Sequence, residues 1–244
     1  MARSIMLKAC LAAFMVPAIA GCGYHHIGPV DAGALAASQP IAPAQVYPTQ
    51  TLPTAPSAYF PTQAGTVFHY TRTDATQGAL GMRTMTIGAA GGSGVSLTNL
   101  VSDAASTGDG QSQSSDLTGS VATNGQVLTA TVTSADTANT LMSFQLQGPL
   151  QPGRNWSTRL GIWNWNYVVR NPESVWSPAG NFQCLVVQGN ATRALMGALT
   201  QIQQTMYFAP GVGLVKVEIK SQSEWGNGND GRTITETLAS VDHG

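Results

Sequence analysis

The chain has 244 residues, only 9% of them charged, with a formal net charge of −1. About a quarter charged is usual for a globular protein. No run of Lys or Arg stands anywhere in the sequence, which excludes nucleic acid as a partner and a polybasic grip on anionic lipid, because both need clustered cations.

Residues 1–21 read as an export signal. Arg3 and Lys8 precede an apolar stretch over residues 9–20, and Ile19-Ala20-Gly21-Cys22 has the form of a lipobox. The stretch is too short to span a bilayer and has the flanks of a secretory signal. Cys22 is therefore the predicted lipidation site and the first mature residue. Its two or three acyl chains, palmitate among them, would hold the protein on a membrane almost permanently, each buried methylene contributing about 0.8 kcal/mol. Gly23 stands where inner-membrane retention signals have Asp. The predicted location is thus the cell envelope, on the outer membrane facing the periplasm in a host with two membranes. Loss of Arg3 and Lys8 leaves 11 − 2 = 9 basic groups against 12 acidic ones.

Cys10 leaves with the signal and Cys22 is consumed by lipid, so Cys184 is the one mature thiol and no intramolecular disulfide is expected. In Phe182-Gln183-Cys184-Leu185-Val186-Val187 it reads as a small buried hydrophobe. A nucleophile would need a base and an electropositive setting, which no neighbouring His or Lys supplies.

Residues 22–58 read as a lipidated, disordered, Pro/Ala-rich tether. Seven of the thirteen prolines fall between Gly23 and Pro61, and Asp31 is the segment's one charge. Such composition favours extended chain. His25 and His26 lie at its start without further ligand-type neighbours, so no metal site is predicted there.

Residues 59–244 are read as one antiparallel β-domain. Val215, Val217 and Ile219 alternate with Lys216, Glu218 and Lys220; Leu128 and Ala130 alternate with Val127, Thr129 and Thr131; Phe68 and Tyr70 alternate with Val67, His69 and Thr71. Turn signals separate the runs: Gly91-Gly92-Ser93-Gly94, Gly108-Asp109-Gly110, Asn124-Gly125, Pro152-Gly153, Pro210-Gly211 and Gly226-Asn227-Gly228-Asn229. Ten to twelve short strands result, in a meander, since turns this tight join antiparallel neighbours. The fold class is all-β, with room for one short helix, the meander curving into an open half-barrel. Residues 191–204 fit a helical face through Leu195, Ala198, Leu199 and Ile202, and also a hairpin; the hairpin is preferred. Residues 102–120, rich in Ser, Thr, Gly and Asp, read as a mobile loop or a frayed pair of edge strands.

Tyr59-Phe60-Pro61, Gly65-Thr66-Val67-Phe68-His69-Tyr70, Gly148-Pro149-Leu150-Gln151-Pro152-Gly153, Pro178-Ala179-Gly180 and above all Tyr207-Phe208-Ala209-Pro210-Gly211-Val212-Gly213-Leu214-Val215-Lys216 resemble a class of bacterial exported lipoprotein β-domains of unknown function. That class is distantly similar to the periplasmic lipoprotein-carrier (LolA/LolB-like) half-barrels. The resemblance carries no catalytic residues, and carrier activity does not transfer on fold analogy. The last motif has a physical reading of its own, in which Pro210 presets φ and Gly211 supplies a positive φ for a tight turn.

Four of the five tryptophans lie between Trp156 and Trp176. Trp163, Trp165 and Tyr167 alternate with Asn164, Asn166 and Val168, so three large rings share one strand face. They are either core or the lining of a ligand groove; Trp165 is the expected core ring and Trp163, beside the Gly161 turn, the ring expected to be exposed. His69 and His243 stand in no ligand-spaced motif, and Glu173, Glu218, Glu224 and Glu236 are scattered, so no catalytic residue, metal or cofactor is predicted. These readings converge on a lipid-anchored envelope protein acting as a non-enzymatic binding or scaffolding module. Its partners would be the membrane and an envelope protein or hydrophobic ligand. The alternatives are a half-barrel holder of acyl chains, using Trp163, Trp165 and Tyr167, and a cell-wall glycan hydrolase.

Overall fold

A computed structural model describes residues 51–61, 63–91, 94–103, 113–133, 143–195, 198–223 and 231–243. The signal at 1–21, Cys22, and the tether with His25, His26 and Asp31 up to residue 50 lie outside the described residues, as do the turn signals at 108–110 and 226–229.

Twelve strands follow a 3-10 turn at Pro56–Tyr59. They are β1 (Val67–Asp74), β2 (Gly78–Gly91), β3 (Gly94–Asp103), β4 (Gln113–Thr123), β5 (Val127–Thr133), β6 (Phe144–Gln147), β7 (Asn155–Leu160), β8 (Trp163–Ser177), β9 (Gly180–Leu195), β10 (Ala198–Ala209), β11 (Gly213–Ser223) and β12 (Arg232–Asp242). All belong to one antiparallel sheet in the order β6-β5-β4-β3-β2-β1-β12-β11-β10-β9-β8-β7. The first and last strands in sequence pair at its centre, and the edges β6 and β7 are consecutive in the chain.

The all-β antiparallel meander is as the sequence reads, but the sheet curls further than an open half-barrel, into a nearly closed, barrel-like wall with its seam between β6 and β7. Rings cross the inside: Phe144 of β6 meets Phe208 of β10 with centroids 5.1 Å apart. The period-2 pattern decides which face is inside, because a polar face turned inward would leave unpaired groups in the core. Phe68, Tyr70, Leu128, Ala130, Val217 and Ile219 point inward and are buried, while Thr71 and Lys220 are exposed. Residues 191–195 and 198–204 are the facing arms of the β9/β10 hairpin, with Ala198 opposite Leu195, so the hairpin reading holds. Of the 102–120 stretch, residues 104–112 lie outside the described residues, and the rest is no edge. Its described residues extend β3 and β4 through pairs such as Leu100 with Asp116, and both strands are paired on their other sides too.

Local chemistry fixes the irregularities. Pro172 cannot donate to a ladder, and β8 carries a bulge between Arg170 and Glu173 where it sits. At the β4/β5 turn the Asn124 side-chain oxygen accepts the N–H groups of Gln126 and Val127, and Gly125 takes φ +84°.

The turn Ala209-Pro210-Gly211-Val212 closes as expected, with Val212 N–H donating to Ala209 O at 3.2 Å and Gly211 at φ +73°. It has a second use. Gly211 N–H donates to Ala58 O, and a Cβ on Gly213 would press on Pro61. The motif is a seat for the segment at 51–61, which also reaches the seam connection through Leu150 N–H to Thr54 O at 2.8 Å. Leu52 and Ala58 pack on the core, and Tyr59, fully buried, donates to Pro53 O. One end of the barrel is thereby stoppered by the chain that enters it.

Candidate functional site

The sequence directs attention to β8, and its three rings do share the inward face. Trp163, Trp165 and Tyr167 are 4%, 1% and 2% exposed. Trp156 of β7, opposite Tyr167 in register, stacks on it at 5.3 Å, and Trp165 lies nearly parallel to Tyr167 at 5.5 Å. Gly189 of β9 faces Tyr167, and any Cβ there would collide with that ring and press on Trp165. Trp163 is thus not the exposed ring. Its pleat position turns it inward despite the nearby Gly161 turn, and the Arg193 guanidinium stands 5.9 Å from its centroid. The exposed ring of this region is Trp176, at 75%.

Across the interior the chemistry changes. Glu236 of β12 takes Arg72 Nε on one oxygen at 3.0 Å and Arg83 Nη2 on the other at 2.7 Å, with Arg83 and Glu236 both buried. The Arg83 guanidinium also lies 4.4 Å from the Tyr70 ring centroid. Tyr70 donates to Leu214 O at 3.0 Å, and burial pushes its phenol well above the usual range. Burial does the same to Tyr167. Between the two halves lies a cavity of about 20 Å³ whose walls include Phe60, Arg83, Phe144, Gln204 and Val217. That is room for about one water molecule.

The outer surface holds the larger space, a concavity of about 500 Å³ across β9–β12. Register aligns its polar lining in two rows: Asn190, Gln203, Lys220 and Thr233, then Thr192, Gln201 and Gln222. Sequence reasoning passed over it, although Asn190 and Thr192 flanking Ala191, and Gln201 and Gln203 flanking Ile202, carry the alternation that announces a polar face.

Two further groups bear on chemistry. His69 lies between Asp242, with Nε2 to Oδ2 at 3.0 Å, and Thr84, with Nδ1 to Oγ1 at 3.3 Å. This is the order of a catalytic relay, yet it stands on the outer face of β1, β2 and β12, Asp242 is 68% exposed, and none of the described cavities is lined by it. Hydrolysis would also need donors placed for an oxyanion and a cleft to bind in. Cys184 belongs to a small outer cluster with Val175, Ala209 and Val215; burial, then Glu173 nearby, pushes its thiol up to about 12. Among the described residues no group of three or more His, Cys, Asp or Glu is arranged to hold a metal ion.

A family model described as DUF3108-like matches residues 155–224, which is β7 through β11 and well under half of the chain. No curated protein matches. Two solved structures are similar. One is of a protein from Bacteroides fragilis assigned as exported, with a YmcC-like fold (15% identity, TM-score 0.46, covering 75% of this chain and 98% of that one). The other is of a protein from Parabacteroides distasonis assigned as a lipoprotein (16% identity, TM-score 0.46, covering 79% and 100%).

Proposed function

We propose that the protein is a lipid-anchored module of the cell envelope, held through acylated Cys22 on the outer membrane in a two-membrane host, which binds or scaffolds a partner through the outside of its barrel. The tether belongs to this reading with its end moved from residue 58 to residue 50, because Leu52, Thr54 and Ala58 are held on the barrel, and so does the resemblance of the Tyr207 to Lys216 motif to exported lipoprotein domains. One contrast carries it: the interior cavity beside Arg83 and Phe144 has about 20 Å³, whereas the outer concavity has about 500 Å³. Pockets that hold a small organic ligand run from about 300 Å³ upward. An acyl-chain holder of the LolA/LolB kind would have to move Trp165 and Tyr167 first, and a glycan hydrolase would have to build a cleft over His69.

The test combines two measurements on cells. A photo-crosslinking side chain at Gln201, in the concavity, should give a discrete adduct with an envelope protein, while one at Thr98, on the outside of β3, should not. The purified protein should carry no lipid beyond its anchor in native mass spectrometry. Stoichiometric copurified lipid with no adduct at Gln201 would replace this reading by the holder.

A further inference from the structure

The outer concavity is a groove that runs across the strands. Each of β9, β10, β11 and β12 lines it with three consecutive residues, 190–192, 201–203, 220–222 and 231–233. Successive side chains of a strand point to opposite faces, so the middle residue of a triplet offers its backbone as floor while its side chain turns inward. Ala191 and Ile202 are accordingly buried, and inward-turned Arg232 donates through Nε to buried Asp74 at 2.7 Å. The flanking residues stand up as two walls. Register carries both walls on to β8 and β7, with Asn166 opposite Asn190 and Ser157 opposite Asn166 on one side, and Asn164 opposite Thr192 and Arg159 opposite Asn164 on the other. At about 4.8 Å between strands, six strands give the groove a length of roughly 24 Å.

The walls are chemically uniform. They hold amides, hydroxyls and two cations, Lys220 and Arg159, with no carboxylate and no aromatic ring in either row. Gln203 Nε2 donates to Asn190 Oδ1 at 3.4 Å, and Ser157 Oγ to Asn166 Oδ1 at 2.6 Å. These bonds leave the amide N–H groups of Asn190 and Asn166 and the carbonyl oxygen of Gln203 for a ligand. Arg159 Nε donates only to Gly161 O, and Lys220 is exposed. Glu218, one row away from Lys220 on β11, is already held by Lys216 at 2.7 Å.

We infer that this groove takes an extended, acidic polypeptide segment of the partner, its main chain bonded by the amide rows and its carboxylates met by Lys220 and Arg159. The inference rests on the proposed outer-face binding and specifies the chemistry of what is bound there. A carboxamide carries a donor and an acceptor side by side, the same pair that a peptide unit presents, so rows of Asn and Gln match an extended main chain whatever its side chains. Charge then selects among such chains, because two cations and no carboxylate on the walls favour an acidic segment and repel a basic one. Lys220 and Arg159 stand four strands apart, roughly 19 Å, which an extended chain covers in about six residues. A sugar chain would want a ring to stack its faces on, and the walls have none.

Fluorescence anisotropy of a fluorescein-labelled decaglutamate, titrated with the mature chain carrying Cys22→Ala, should show saturable binding that weakens as salt rises. Lys220→Gln with Arg159→Gln should weaken it about tenfold, and Asn190→Ala with Gln203→Ala about fivefold, without a change in melting temperature. Arg154→Gln, an exposed cation outside the groove, should leave it unchanged. An equal loss in Arg154→Gln would reduce the binding to general charge attraction and overturn the inference. So would absence of binding, or a hyaluronan octasaccharide, an acidic N-acetylated glycan, that binds as tightly as the peptide. In cells, the peptide crosslinked at Gln201 should be rich in Asp and Glu. An adduct on a segment without acidic residues would overturn the inference and leave the outer-face reading standing, whereas the absence of any adduct would overturn that reading itself.

Discussion

On β7 and β8 the inward positions hold Trp156, Trp163, Trp165 and Tyr167, whereas on β1, β2 and β12 the corresponding positions hold Arg72, Arg83 and Glu236. The first region gains from area removed from water and from stacked rings. Yet the indole N–H groups of Trp156, Trp163 and Trp165 are buried without a partner, each at the cost of its lost solvation. The second region removes charges from water and recovers the cost only through tightly matched geometry. One wall of the barrel is therefore held by the burial of rings, the other by close ion pairs between buried side chains. The first should tolerate changes of chemistry at constant shape, the second changes of shape only when all its charges go together.

The strongest way to break that comparison is Trp165→Ala. Removing a fully buried indole from between Tyr167 and the Gly189 backbone should cost about 3–5 kcal/mol, a large share of a domain's stability, read as a lowered denaturant midpoint or loss of soluble protein. Trp165→Phe should recover more than half of that, because the N–H it discards had no partner. An alanine variant of full stability would show that the ring does not carry this wall.

Glu236→Gln probes the other wall. It keeps shape and leaves two guanidinium groups facing an uncharged amide, so about 3 kcal/mol should be lost in urea unfolding. Exchanging the charges together, Arg83→Met with Glu236→Leu, should return most of it, with Arg72 at 12% exposure left near enough to water to turn outward. If the double variant is less stable than the single one, the network contributes net stability beyond its own desolvation.

Gly189→Ala sharpens the aromatic side at smaller scale. A methyl group at this position meets Tyr167 and Trp165, and overpacking a filled core by one carbon costs about 1–3 kcal/mol. Combining it with Tyr167→Leu should make it nearly neutral, since the ring that the new Cβ meets first has then been removed.

How far such features can be read from the chain depends on how local their cause is. Strand identity, the inward face of β1 and β5, and the turn at Pro210-Gly211 follow from period-2 alternation and from φ preferences, which act over a few residues; on β11 a bulge opposite Tyr207 and Phe208 turns Val215 into the outer cluster, off the face that alternation gives it with Val217 and Ile219. The stacked rings of β8 were legible as a stripe. Their burial was not, because whether a stripe is core or groove depends on how far the sheet curls. Arg72 and Glu236 meet through the pairing of the first strand with the last, and Arg83 joins them from β2. Residues 72 and 236 carry no sign of each other in sequence. The outer concavity lay in a polar alternation that reads equally well as ordinary solvent face. The second use of Gly211 and Gly213, as a seat for the entering chain, depends on a segment some 150 residues upstream.

The smallest expected effect at neutral pH lies outside both walls, at Cys184, and it turns on pH. Cys184→Ala should cost about 1 kcal/mol near pH 7 through lost packing against Val175 and Val215. An unfolded chain releases the thiol proton near its ordinary value of about 8.5, whereas in the fold burial holds the proton up to about 12. Between those values the folded state binds the extra proton, so wild-type stability falls as pH rises, by at most about 1.4 kcal/mol per unit. The alanine variant has no such loss, and the buried tyrosines, whose phenols are raised in the fold, lower the stability of both proteins alike as pH approaches 10. Urea titrations of both proteins should therefore converge and cross near pH 9 to 10. Parallel pH dependences would mean that the thiol ionises as freely in the fold as out of it, and rapid labelling of the native protein by a bulky maleimide would say the same by a second route.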